Sequence, residues 1–76
     1  MKDIEIDLHG TKHEFVREQL IRKIEHYWNT ETDLKIITGH SPRMKELVIS
    51  ILKEYKLDYR IGDVFEMNTG YIVTTV

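Results

Sequence analysis

Apolar and polar side chains alternate over Ile4-Glu5-Ile6-Asp7-Leu8, the two-residue period of a half-buried strand. His9-Gly10 breaks that run, and Thr11-Lys12-His13-Glu14 has the form of a capping box with Thr11 as N-cap. A helix should follow, with Val16, Leu20, Ile24 and Tyr27 on one stripe, Phe15 and Trp28 beside it, and an end in the polar run Asn29 to Asp33. Leu34-Lys35-Ile36-Ile37-Thr38 reads as a second, more buried strand, followed by Gly39-His40. Ser41-Pro42 then opens a second helix, with serine as N-cap and proline at the first helical position. Its stripe is Met44, Leu47, Val48, Ile51, Leu52 and Tyr55. Leu57, Tyr59 and Ile61 alternate with Asp58 and Arg60 as a third strand suited to a sheet edge. Phe65-Glu66-Met67 is expected to anchor a hairpin loop, and the β-branched run Tyr71 to Val76 to form a buried central strand.

The resulting order, β-α-β-α-β-β, predicts an α/β, two-layer α+β sandwich with a four-stranded mixed sheet. Helices after the first two strands require parallel, right-handed crossovers, which put both helices on one sheet face. The other face then needs a cover or a partner. The 76 residues make room for one domain, 1–76. A chain of this length buries only about 60–65% of its unfolded surface and is expected to be stable by about 4–11 kcal/mol.

Composition narrows the chemistry. Without cysteine there is neither a disulfide nor a thiolate nucleophile or ligand. No apolar run approaches a membrane span, and Met1-Lys2-Asp3-Ile4-Glu5 is too acidic for a signal peptide, so no membrane association and a cytoplasmic address are expected. The net charge of −2 excludes a broadly basic nucleic-acid coat. Residues 34–45 nevertheless carry Lys35, Arg43 and Lys45 with no acidic residue.

If the first two strands are parallel, their C-terminal ends share one sheet edge, where open α/β sheets bind ligands. Asp7, His9, Thr38, His40 and Ser41 would converge there beside helix N-termini that favour anions. Gly10 and Gly39 would leave the backbone open, and Arg43 and Lys45 would stand in the first turn of the second helix. The plainer reading is structural: Asp7 and Thr11 cap one helix, Ser41 caps the other, and His9 bonds a loop carbonyl. Asp7, His9, His13 and His40 are ordinary metal-ligand types, but their spacing matches no specific zinc pattern, so no metal ligand is assigned. Tyr27, Tyr55 and Tyr59 read as core rather than base-stacking platforms, and His26 as packing or surface. No serine–histidine–acid order, phosphate loop or dinucleotide glycine motif is present.

Three segments resemble the Smr (small MutS-related) domain family: Ile6-Asp7-Leu8-His9-Gly10, Ile36-Ile37-Thr38-Gly39-His40-Ser41, and Thr69-Gly70-Tyr71-Ile72-Val73. The element order matches too, so the resemblance covers nearly the whole chain. It implies the fold of the C-terminal domain of translation initiation factor three, with the third strand at an edge and the fourth interior. It also implies binding of nucleic acid, DNA or RNA, and in several members endonucleolytic DNA nicking or RNA cleavage. On that basis Asp7 and His9 are the catalytic candidates, His40 joins them and with Gly10, Thr38, Gly39 and Ser41 holds the phosphate, and Arg43 and Lys45 neutralise it. Mg2+ or Mn2+ stays open as a cofactor. The second motif is shorter here than is usual for the family, since Thr38-Gly39 is followed at once by His40-Ser41-Pro42. The alternative is a catalytically inactive Smr-fold interaction module that binds a protein, or a second copy, through the open sheet face or the edge strand 57–61.

Overall fold

A computed structural model describes residues 3–63 and 68–76. Phe65-Glu66-Met67, the expected loop anchor, lies outside the described residues. The elements run β1 (Asp3–Asp7), α1 (His13–His26), β2 (Asp33–Ile37), α2 (Pro42–Glu54), β3 (Tyr59–Asp63) and β4 (Asn68–Thr75). The sheet order is β1-β2-β4-β3. β1 and β2 are parallel, with Asp7 opposite Ile37, and the two pairings of β4 are antiparallel. As expected, β3 is an edge and β4 is interior.

The two-residue period of each strand sorts its side chains between the faces. Ile6, Leu34, Ile36 and Ile72 turn inward and are buried with Val16, Leu20 and Ile24 of α1 and Met44, Val48, Ile51 and Leu52 of α2. Both helices therefore cover one face. Tyr27, Tyr55 and Tyr59 pack against this core, as the sequence predicts, while Phe15 and Trp28 are about half exposed. Trp28 leans on Tyr55 with ring centroids 5.8 Å apart. Arg17 of α1 clamps Glu54 of α2 in a two-pronged ion pair at 2.6 and 2.9 Å. The hydrogen bond from Arg17 holds the Glu54 carboxyl below its ordinary value. No helix among the described residues is long and apolar enough to cross a membrane.

Several boundaries differ from the periodicity. The capping box does not form, because the Thr11 amide closes a turn onto the Leu8 carbonyl at 2.9 Å. The chain enters α1 through Lys12, which contributes no side-chain cap. At the other end of α1, Asn29 and Glu31 turn the chain at φ 61° and 58°.

β3 starts two residues later than the alternation predicts, because Lys56 and Leu57 finish the preceding helix. The Leu57 amide reaches back to the Leu52 carbonyl at 2.9 Å and the Lys56 amide to Lys53 at 3.0 Å. These are the two bonds of a Schellman cap, with Lys56 at φ 57° where glycine is usual. That conformation costs an L-residue about 1–2 kcal/mol, and glycine's looser unfolded chain returns about 0.5–1. Lys56→Gly is therefore expected to stabilise the domain by about 0.5–1 kcal/mol, raising Tm by roughly 2–8 °C. A calorimetric scan in which Tm falls would show that the Lys56 side chain contributes more than its backbone costs.

Candidate functional site

The parallel pairing of β1 and β2 ends both strands side by side. The ladder runs one step past Asp7, since the Leu8 amide donates to the Ile37 carbonyl at 2.9 Å. Both chains then leave through a glycine with positive φ, Gly10 at 85° and Gly39 at 67°.

The two glycines do different work. A Cβ on Gly10 would meet nothing within 4 Å, so that position answers to turn conformation alone. A Cβ on Gly39 would lie 2.8 Å from His9 Cδ2, with His9 Nε2 at 3.8 Å. The His9 ring thus lies against the backbone of the β2–α2 loop. Residues of the first and second motifs, thirty positions apart, touch at this point.

Asp7 sets up that contact. Its Oδ1 accepts the His9 amide at 2.9 Å, an Asx-type turn that fixes how the chain leaves β1. Its carboxylate bonds the His9 backbone, so it acts on the imidazole through the turn. Asp7 and His9 are both exposed.

The β2–α2 loop is anchored from the opposite side. The amides of Thr38 and Gly39 donate to the Gly70 carbonyl at 2.8 and 3.0 Å. Thr38 is buried, and its hydroxyl is shared between the carbonyls of Gly39 (2.9 Å) and Gly70 (3.2 Å). Ser41 accepts the Met44 amide at 3.2 Å and caps α2, with Pro42 following at the helix start. Thr38 and Ser41 therefore shape the loop. His40 and Arg43 are exposed, Lys45 is half-buried, and the first turn of α2 holds no acidic residue. This edge joins an imidazole, a carboxylate and the basic start of a helix.

Other parts of the sequence-level picture do not meet here. His13 begins α1 and is exposed. Asp7, His9, His13 and His40 do not assemble, and among the described residues no group of three or more His, Cys, Asp or Glu could hold a metal ion. Mg2+ or Mn2+ thus has no ready ligand set among the described residues. His26 is exposed, its ring set edge-on to Tyr27 at 4.6 Å. An open depression of about 620 Å3, lined by Asp33, Tyr59, Arg60 and Thr75 among others, lies at the opposite end of the sheet. Its volume is no guide to the site, because the loop contacts gather elsewhere.

One feature at this edge escapes the sequence reading. On the sheet face opposite the helices, Asp7, Ile37 and Tyr71 form one row across β1, β2 and β4. Lys35 Nζ sits 4.5 Å from the centre of the Tyr71 ring. The inward positions of Ile72 and Thr74 imply an outward Tyr71, but the unbroken β-branched character of the run conceals this alternation.

No protein-family model, curated protein or solved structure matches the chain.

Proposed function

We propose that the chain is an Smr-like domain that binds DNA or RNA at the edge where β1 and β2 end, and that it cleaves the strand there. The observation that carries this reading is the His9 ring lying against Gly39, beside the basic first turn of α2. His40 and Arg43 offer donors and positive charge for a phosphate, and the N-terminal dipole of α2 adds to them. Imidazole is the side chain that most often serves as a general base, and His9 presents an exposed one at this edge. It takes a proton from the attacking water as the new P–O bond forms. The strand oxygen leaves as its P–O bond breaks and is protonated by solvent. Asp7 fixes the turn that presents the imidazole and can accept a hydrogen bond from the same water.

The test is cleavage of supercoiled DNA and of end-labelled RNA by the parent, Asp7→Asn and His9→Ala. Asparagine keeps an oxygen for the His9 amide, and both positions are exposed, so the fold should survive. His9→Ala is expected to lose about 100-fold or more in rate, as for a lost general base. Asp7→Asn is expected to lose less. Cleavage by both variants at the parental rate would end the catalytic assignment.

Ile61, 42% exposed on edge strand β3, favours a second reading as an inactive module that pairs with another chain. The irregularity between Ile61 and Asp63 blunts that edge against strand addition. Salt separates the two readings: phosphate contacts weaken steeply as salt rises, and strand pairing does not.

A further inference from the structure

Resting on that nucleic-acid reading, we infer that the open sheet face is a stacking surface for a single strand, with Tyr71 as the platform and Lys35 and Arg60 receiving the flanking phosphates. Three observations converge. Tyr71 is a half-buried aromatic on the open face, directly across from Ile37. The next row of that face runs Glu5, Lys35, Val73, Arg60, which places one cation on each side of β4. Finally, the Gly70 carbonyl that precedes Tyr71 holds the amides of Thr38 and Gly39. The β2–α2 loop, where a phosphate would sit, is thus bonded to the residue next to the platform, and one strand could engage both.

Area and charge choose the occupant. Four strands about 4.8 Å apart and five residues of about 3.3 Å give the face roughly 300 Å2 of flat area. A stable protein partner or second copy needs about 800 Å2 on each side. A single strand needs one aromatic face for a base and a few cations for its backbone. A duplex keeps its base faces stacked away from a flat sheet, so the platform selects single strands. Asp3, Glu5 and Asp7 on β1, with Asp33 at the start of β2, make one corner of this face acidic, which directs the backbone away from that corner, along the Lys35-Val73-Arg60 row and past Tyr71. Lys35 already rests over the Tyr71 ring, so a base that stacks there displaces the ammonium toward its own phosphate.

The experiment is fluorescence anisotropy at low salt with labelled single-stranded DNA and RNA of about 12 nucleotides, within the ~4–16 nucleotide sites of single-strand binders, and with the matching duplexes. The full chain is compared with Tyr71→Phe, Tyr71→Val and Arg43→Gln. Tyr71→Phe should keep the parental affinity for single strands. Tyr71→Val, β-branched to hold the strand, should lose about 5- to 150-fold, the worth of one stacked base. Parental duplex binding should be the weaker. Amide shifts of the parent on titration with single-stranded DNA should include Lys35, Tyr71 and Val73, a readout that needs no variant. If Tyr71→Val binds as the parent does while Arg43→Gln binds weakly, the stacking face is wrong and the edge stands. If no oligonucleotide binds the parent, both readings fall together.

Discussion

Leu20→Ala is expected to remove about half of the folding free energy of this chain. Leu20 is fully buried at the middle of the α1 stripe, between Val16 and Ile24, in the core shared by both helices and the sheet. Cutting a buried leucine to alanine costs about 2–5 kcal/mol, from lost transfer energy and the cavity left behind. A domain of this size commands only about 4–11 kcal/mol in all. At a slope of about 1 kcal/mol per molar urea, the midpoint should fall by roughly 2 M or more, and at the upper end the variant is unfolded in buffer. Ile61→Ala is the control. Ile61 is 42% exposed at the sheet edge, so the same kind of truncation should cost less than about 1 kcal/mol. If Leu20→Ala shifted the midpoint no more than Ile61→Ala, the single core drawn for the helices and the sheet would be wrong.

The same core explains why so much of the fold is legible along the chain. Burial on one face forces period, and period is visible: Met44, Val48, Ile51 and Leu52 repeat as a helix, and Ile4, Ile6 and Leu8 as a strand. Ser41-Pro42 marks the start of α2 because its reason is local, an oxygen for the Met44 amide and a proline where no donor is needed. The ends that resist reading have other causes. Thr11 looks like a cap, but its amide is taken by Leu8. Asn29, Glu31 and Lys56 adopt positive φ without glycine's signal, because the chain must reverse there whichever residue is present. The site divides in the same way. The topology places Asp7-Leu8-His9-Gly10 and Thr38-Gly39-His40-Ser41 at one edge, and this follows from the order of strands and helices. The contact of His9 with Gly39 does not, because it depends on the direction in which an Asx turn sends one ring. The buried, doubly engaged hydroxyl of Thr38 is equally invisible, since threonine ending a strand looks the same when it faces a ligand.

That contact makes Gly39→Ala the most informative change at the edge. Two costs combine there. Alanine at φ 67° is penalised by about 1–2 kcal/mol for backbone conformation alone. Its Cβ would also lie 2.8 Å from His9 Cδ2, a separation that real side chains do not tolerate. His9 is exposed, so the clash is relieved by the ring swinging outward, at little expense to stability. Gly10→Ala separates the two effects. It carries a similar backbone penalty at φ 85°, but its Cβ would enter open space. The stiffer unfolded chain of alanine offsets about 0.5–1 kcal/mol of that penalty, so both variants should be about 0.5–1 kcal/mol less stable in a urea titration, and only Gly39→Ala should move the His9 ring resonances. If the edge cleaves, Gly39→Ala should also approach the rate loss of His9→Ala while Gly10→Ala retains most of the parental rate. Unchanged His9 resonances in Gly39→Ala would mean that the two loops are not in contact in solution. Displaced resonances with undiminished cleavage would leave the contact in place and take His9 out of the reaction.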